Sequence, residues 1–336
     1  MQYYVYIAVA AEQKIMLHTM DPKSGQLTLQ ENIALEGSPG PLCMDPEQRY
    51  LYAGLDGETP AIASFSVDTS SGSLTSIGRV DLKSDSSCYL ATDKTGKYLL
   101  SAYYSAGMVS VHPIGTDGVA HDPAIEWRDT AHKAHYIETD ASNRYAFVPH
   151  VGESNAIHQF LFDANTGKLT PNAVPKVDGG AGQGPRHLAF HPTKDIIYAD
   201  NEQESSVTVY HFDSSNGTLT PDHTVSTLPA PDPQNSNAQI RIHPSGKTVY
   251  ASNRGHDSIA VFAIDPNTGA ITSLGQEPTE GIPRPFNIDP SGNFLFAGGQ
   301  ATGRVASYRI QEDGTLSPLE IYEVGKTPSW ILPLQL

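Results

Sequence analysis

The chain has 336 residues and carries 37 acidic against 21 basic side chains, which gives a net charge of -16. Such an acidic surface repels phosphate backbones and anionic headgroups, so the charge argues against nucleic-acid and membrane partners. An anionic substrate would need a local cluster of arginines to overcome this field. The positions of the few arginines are therefore informative.

The sequence predicts a protein of the cytoplasm. The N-terminal stretch MQYYVYIAVAAE has no basic leader before its apolar run, and the run has the Tyr, Val and Ile composition of a strand. No run of about eighteen apolar residues occurs, so we expect no transmembrane helix. Two cysteines, Cys43 and Cys88, do not decide the compartment, and the sequence leaves open whether the protein is a monomer or a homo-oligomer.

A turn with an acidic first residue recurs along the whole chain. Five copies read Asp-x-x-x-Gly-x-Leu/Ile-Thr, and weaker copies occur near Asp117 and Asp313. The five begin at Asp21, Asp68, Asp163, Asp213 and Asp265. The copies follow one another at roughly 46–52 residues. Because Asp and Gly suit tight turns and a β-rich run follows each copy, the pattern predicts one hairpin per repeat.

A second pattern combines a turn with a strand. Its copies are DPEQRYLYAG, DKTGKYLLSA, DASNRYAFVP, HPTKDIIYAD, HPSGKTVYAS and DPSGNFLFAG, and each follows a short apolar run. Runs such as VTVYHF and IAVFAI alternate polar and apolar residues, as half-buried strands do. No helix-length window shows a convincing period of 3.6 residues, so the chain is predicted to be all-β.

Each repeat supplies four strands, which is the signature of a propeller blade. The inner strand of the seventh blade is found at the C-terminus, in TPSWILPL, and its partners YYVYIAV and KIMLHTM are at the N-terminus. The sequence therefore predicts a seven-bladed β-propeller of four-stranded blades, whose last blade is closed by both termini. A single domain spans residues 1–336 in this interpretation, because two domains would leave that blade unpaired.

Superposing the repeats predicts which residues surround one mouth of the channel. The start of strand one and the end of strand two lie at the same end of an antiparallel blade. The row at the start of strand one is Gly40, Cys88, His135, Arg186, Ala238 and Arg284. The row just past strand two is Asp56, Tyr104, Val151, Glu202, Arg254 and Gln300. Nearby histidines that could join this mouth are His132, His187 and His256.

These residue types favour acid–base chemistry on an anion. Three arginines could bind a carboxylate or phosphate through paired N–H donors. Glu202 and His135 are candidates for general acid and base, because neighbouring cations keep a carboxylate ionised. The side chains of His132 and His135 would not aim alike, and no thiolate or carboxylate stands at ligand spacing, so we expect no metal. The Asp-rich turns lack the alternating ligands of calcium loops.

The chain resembles the seven-bladed β-propeller lactonase family of the cycloisomerase-2 type. The resemblance covers essentially the whole chain and is strongest in HKAHYIETD, GPRHLAFHPTKDIIYADNE and SNRGHDSIAVF. It implies a catalytic set of His135, Arg186, Glu202 and Arg254, with no metal or organic cofactor. The chain departs from the usual family pattern at Gln239, at Pro285 and at Tyr103-Tyr104.

The family includes 6-phosphogluconolactonases and 3-carboxy-cis,cis-muconate lactonising enzymes. The resemblance therefore implies hydrolysis of a small anionic sugar-type lactone. The first candidate substrate is the lactone of 6-phosphogluconate. Substrate contacts are expected from His132, His187, Arg284, Tyr104, Gln300 and His256. Two alternatives stay open: a cofactor-free cycloisomerase, in which a carboxylate closes onto a double bond, and a non-catalytic propeller that serves as a binding module.

Overall fold

The computed structural model describes residues 2–83 and 85–336. Within these ranges the chain consists of β-strands and their connections, apart from two 3-10 helices at Ala10–Glu12 and Gly152–Ser154. Neither of these described helices is long and apolar enough to cross a membrane. The first fourteen strands are β1 (Tyr3–Val9), β2 (Lys14–Met20), β3 (Leu27–Ala34), β4 (Ser38–Met44), β5 (Tyr50–Asp56), β6 (Ala61–Val67), β7 (Leu74–Asp81), β8 (Ser87–Thr92), β9 (Tyr98–Tyr103), β10 (Met108–Pro113), β11 (Glu126–Asp129), β12 (Glu138–Thr139), β13 (Tyr145–His150) and β14 (Ala156–Asp163). The remaining strands are β15 (Lys168–Asp178), β16 (Pro185–Phe190), β17 (Ile196–Asn201), β18 (Ser206–Asp213), β19 (Thr218–Ser226), β20 (Ser236–Ile242), β21 (Thr248–Arg254), β22 (Ser258–Ile264), β23 (Ile271–Pro278), β24 (Pro283–Ile288), β25 (Phe294–Gly299), β26 (Arg304–Ile310), β27 (Leu316–Glu323) and β28 (Pro328–Gln335).

In the described residues the strands form seven four-stranded antiparallel sheets, the blades of a propeller. Blades 1 to 6 each use four consecutive strands, from β4–β7 in blade 1 to β24–β27 in blade 6. Blade 7 combines β28 with β1, β2 and β3, and Tyr6 of β1 faces Leu332 of β28. The prediction of a seven-bladed propeller closed by both chain ends is confirmed. The innermost strands of most neighbouring blades contact each other, as β28 contacts both β24 and β4.

The two recurring patterns lie at the two kinds of turn that the sequence predicts. The Asp–Gly turns join the third and fourth strands, as at Asp163, whose carboxylate accepts the N–H of Asn165 at 2.9 Å. The second pattern joins the first and second strands, as at Asp93, whose Oδ1 accepts the N–H groups of Lys97 and Tyr98 at 2.8 and 2.9 Å. Each acidic residue thus satisfies the backbone donors of its own turn.

Tyrosines of the second strands tie neighbouring blades together. Tyr145 of blade 3 donates its hydroxyl hydrogen to the carbonyl of Ser215, in the Asp–Gly turn of blade 4, at 2.9 Å. The same contact joins Tyr6 to Gly72, Tyr52 to Gly118, Tyr98 to Asn165, Tyr198 to Gly269 and Tyr250 to Gly314. The ring of Tyr145 also packs on Gly217, because the position of a Cβ there would lie 2.0 Å from Tyr145 Cδ1. The turn glycine therefore permits both its own φ of +76° and the contact between blades.

We predict that Gly217→Ala destabilises the protein more than Gly182→Ala does. Both glycines have positive φ, at +76° and +74°, but a Cβ at Gly182 would meet no atom of the described residues within 4 Å. The backbone strain of about 1–2 kcal/mol is common to both variants. Gly217→Ala adds overpacking against Tyr145, of about 1–3 kcal/mol. Chemical denaturation measures the difference, and equal free energies of unfolding for the two variants would contradict the blade contact.

Candidate active site

The two predicted rows of residues meet at one mouth of the channel. Of their twelve positions, ten line a single cavity of about 540 Å³, and the exceptions are Ala238 and Val151. This cavity is found where the inner strands begin and the second strands end. The start of strand one and the end of strand two of each blade therefore lie at this mouth, as expected for antiparallel strands.

Bulges in the inner strands aim side chains into this cavity. The pairing of the inner and second strands shifts register in blades 1, 2, 4, 5 and 6, always near the mouth. In blade 4, Pro185 faces Asn201 and His187 faces Asp200, so Arg186 is the extra residue. Adjacent residues of a regular strand face opposite ways, yet Arg186 and His187 both line the cavity.

The carboxylate of Glu202 is shared by two arginines. Its Oε2 accepts a hydrogen bond from Arg186 Nε at 2.7 Å and lies 3.3 Å from Arg254 Nη2. Arg254 also donates to the carbonyl of Asn237 at 2.6 Å. The Arg186 side chain is only 2% exposed, whereas that of Glu202 is 18% exposed to the cavity. Glu202 Oε1 accepts no hydrogen bond within the described residues, which leaves this oxygen available to a water or a substrate hydroxyl.

Two buried histidines lie next to the ion-pair cluster of Arg186, Glu202 and Arg254. His187 Nε2 lies 3.3 Å from Arg186 Nη1 and 3.3 Å from His135 Nδ1. Because a guanidinium can only donate, we infer that His187 Nε2 is the acceptor and that His135 Nδ1 carries a proton. The second ring nitrogen of His135, Nε2, is then a free acceptor. Burial, followed by the positive charges of Arg186 and Arg284, holds the pKa of His135 well below 6.5, so the ring is neutral at physiological pH.

Arg284 is a third guanidinium in the same cavity. Its side chain makes no ion pair or hydrogen bond within the described part of the chain, unlike Arg186 and Arg254. Burial and the nearby positive charges of Arg186 and Arg254 lower the pKa of Arg284 to about 10. Burial and the charge of Arg186 likewise lower the pKa of Arg254 to about 10. Both groups remain charged at neutral pH, so this mouth attracts anions on a protein that is acidic as a whole.

The opposite side of the cavity is acidic and rich in hydroxyl groups. Asp56 and Asp85 line it, together with Ser38, Ser86 and Ser105. Asp85 accepts the backbone N–H of Ser105 at 2.7 Å, which fixes its carboxylate. The cavity is thus polarised, with cations on blades 4 to 6 and acceptors on blades 1 and 2. A ligand with an anionic end and several hydroxyl groups matches this arrangement.

Trp330 forms the floor of the cavity. Its ring lies 5.7 Å from the ring of Tyr89 and 6.5 Å from that of His187, measured between centroids. Trp330 also lines a second cavity, of about 550 Å³, at the opposite mouth of the channel. On that side the guanidinium of Arg241 lies 5.9 Å from the Trp330 ring centroid. Trp330 therefore separates the two mouths.

The structure brings together most of the candidate residues and separates two of them. His135, Arg186, Glu202, Arg254, His187, Arg284, Tyr104 and Gln300 all line the cavity. The ring of Tyr104 packs edge-on against His135, with centroids 5.6 Å apart. His132 is not a lining residue, because its Nδ1 pairs with Glu153 at 2.6 Å on the surface. His256 is not one either, and its Nδ1 bonds Ser258 Oγ at 2.8 Å.

Sequence reasoning missed Asp85 and Trp330 as parts of the site. Trp330 stands in the predicted inner strand of blade 7, so extending the repeat alignment to that blade could have found it. Asp85 lies in the loop before β8, outside any repeated pattern, and no sequence signal points to it. Within the described residues, no group of three or more His, Cys, Asp or Glu side chains could hold a metal ion.

Comparisons with known proteins extend over almost the whole chain. The family described as "Lactonase, 7-bladed beta-propeller" matches residues 4–333. A 6-phosphogluconolactonase of Pectobacterium carotovorum is 36% identical over 339 residues, covering 100% of both chains. One of Yersinia pestis is 36% identical over 337 residues, covering 98% of each. A solved periplasmic gluconolactonase of Pseudomonas aeruginosa superposes with a TM-score of 0.91 over 99% of both chains, at 23% identity, which bears on the fold alone. The chain belongs to the seven-bladed β-propeller lactonase family.

Proposed function

We propose that the protein hydrolyses a phosphorylated sugar lactone to its hydroxy acid, as the name of its 6-phosphogluconolactonase relatives states for them. The observation that carries this proposal is the cluster of Arg186, Glu202 and Arg254 beside the neutral ring of His135. It offers fixed cationic donors for a developing oxyanion and a free ring nitrogen for a proton. Both are needed when water adds to an ester carbonyl.

The arginines stabilise the negative charge that forms during the reaction. Water adds to the lactone carbonyl carbon, and the carbonyl oxygen becomes an oxyanion within reach of Arg254 and Arg186. Both guanidinium groups are held in advance by Glu202, so little reorganisation is needed when the charge develops. Collapse of the intermediate re-forms the carbonyl and breaks the bond to the ring oxygen.

His135 is placed to carry the proton between these two steps. Its Nε2 takes a proton from the attacking water, while Glu202 Oε1 orients that water. The imidazolium that forms is buried and close to Arg186 and Arg284, and it is therefore a strong acid. It protonates the departing ring oxygen, which becomes the hydroxyl of the product. The new carboxylic acid releases one proton to solvent, which completes the balance.

The polarity of the cavity favours a sugar phosphate over an unsaturated diacid. Arg284 has no partner among the described residues, so it is free to bind the phosphate group. Asp56 and Asp85 on the other side accept hydrogen bonds from hydroxyl groups but repel a second carboxylate. The proposed hydrolysis requires no cofactor. A cytoplasmic location stays a prediction from the sequence.

Arg254→Ala and Glu202→Gln should each lower kcat on 6-phosphogluconolactone by about 10²–10³-fold, the usual effect of removing one oxyanion donor or its support. Thermal unfolding should show that both variants are folded. Arg49→Ala is the matched control, because Arg49 pairs with Glu47 on the surface and is 58% exposed. Rates of both site variants within a few-fold of the control would remove Arg254 and Glu202 from the mechanism.

Hydrolysis in water enriched in ¹⁸O separates the proposed reaction from cycloisomerisation. Hydrolysis places one labelled oxygen in the product carboxylate, whereas an internal carboxylate that closes onto a double bond brings no oxygen from water. We expect label at a rate proportional to enzyme concentration, above the spontaneous opening of the lactone. Unlabelled lactone formed from an unsaturated diacid, with no enzyme-dependent label from sugar lactones, would establish the rival reaction.

A further inference from the structure

Asp200 is a buried carboxylate that interacts electrostatically with Arg186, Glu202 and Arg254. It belongs to β17 and has no solvent exposure. Its Oδ1 accepts the backbone N–H of His187 at 2.8 Å, at the bulge that makes Arg186 the extra residue. Its Oδ2 has no hydrogen-bond partner among the described residues. A buried, half-satisfied carboxylate is costly, so its presence calls for a reason beyond packing.

The other blades show that the fold itself does not require an acid at this position. Asp200 lies two residues before Glu202, which belongs to the row just past strand two. The residues at the same position in the other blades with this row are Gly54, Ala102, Pro149, Ser252 and Gly298. In blade 5, the neutral Oγ of Ser252 accepts the N–H of Gln239, in the corresponding bulge, at 3.2 Å. A hydroxyl group therefore suffices to satisfy a bulge. Asp200 of blade 4 differs from the residues at this position in the other blades because it can carry a negative charge.

We propose that Asp200 is a positioning residue for Arg186: it ties down the bulge through His187 and holds the Arg186 guanidinium by its negative charge. This inference rests on the proposed function of the cavity. It assigns to Asp200 no contact with substrate. Asp200 acts by fixing the direction in which the Arg186 guanidinium points. A small misplacement of such a donor is enough to slow a reaction strongly.

The charge of Asp200 changes within the range in which the enzyme would work. Burial raises its pKa from 3.8 to about 7, while Arg186, the His187 N–H and Arg254 oppose this rise and Glu202 adds to it. The groups that face it are Arg186 and His187 from β16, Glu202 just past β17, and Arg254 from β21. The ring of His187 is neutral at neutral pH, because burial and then Arg186 hold its pKa well below 6.5. Asp200 is thus neutral below about pH 7 and charged above it.

The same ionisation affects stability with a definite sign. The folded-state pKa of Asp200 lies above its ordinary value of 3.8, so between these values the folded state binds the proton more tightly than the unfolded state. The free energy of unfolding therefore falls as pH rises through this window. A charge that stabilises the active geometry but weakens the fold is typical of functional residues.

The test compares kcat and melting temperature of wild type and Asp200→Asn at pH 5.5 and pH 8. Asparagine keeps an oxygen for the His187 N–H but carries no charge. We expect kcat of the variant to be about tenfold lower at pH 8 and to match wild type within about twofold at pH 5.5, where Asp200 is protonated. The melting temperature of the variant relative to wild type should be higher at pH 8 than at pH 5.5. Ser252→Ala, which removes the matching bulge hydrogen bond in blade 5, should change neither pH profile.

Two outcomes would overturn the inference. Equal kcat of Asp200→Asn and wild type at pH 8 would show that the charge has no role. An equal loss at both pH values, together with a lower melting temperature, would show a purely structural role. If wild type opens no lactone, the proposed function fails instead. Infrared detection of a carboxyl group that titrates near pH 7 and is absent from Asp200→Asn tests the titration itself without any substrate.

Discussion

One carboxylate between the buried guanidinium of Arg186 and the half-buried guanidinium of Arg254 is the interaction on which the rest of the site depends. Arg186, Arg254 and Arg284 share one mouth, and burial, followed by the repulsion between these charges, lowers the pKa values of Arg254 and Arg284. Glu202 offsets part of this repulsion by contacting two of the three. The remaining positive charge is open to an anionic ligand. Burial, together with the same positive charges, lowers the pKa of His135 and keeps its ring neutral and able to accept a proton.

The propeller makes this concentration of charge possible. Arg186 and Glu202 come from blade 4, Arg254 from blade 5 and His135 from blade 3, and ring closure by β28 and β1 fixes the distances between them. Tyrosine hydroxyls join neighbouring blades at turns that do not line the cavity. Bulges at the starts of the inner strands then turn adjacent side chains into the same space. A rigid frame with locally irregular strands is well suited to hold several donors in a preset arrangement.

Much of this could be predicted from the sequence because the repeats carry their own alignment. The recurring turn patterns predicted the number of blades. The residues at fixed distances from the turn between strands one and two predicted that His135, Arg186, Glu202 and Arg254 are neighbours. What the rows could not include is the effect of a bulge, which brings His187 beside Arg186 against the alternation of a strand. His132 was expected at the mouth, but its ion pair with Glu153 holds it on the surface. Asp200 escaped notice because its role depends on burial and on the His187 N–H, neither of which a repeat pattern displays.

The central claim is that the mouth lined by Arg186, Arg254 and Arg284 binds a phosphorylated sugar acid derivative. A crystal structure with the hydrolysis product, 6-phosphogluconate, tests this claim most directly. The account predicts one anionic group of the product within about 3 Å of Arg284 and the other within hydrogen-bond distance of Arg254 or Arg186, with hydroxyl groups toward Asp56 and Asp85. Product bound instead beyond Trp330, at the mouth that contains Arg241, would contradict it.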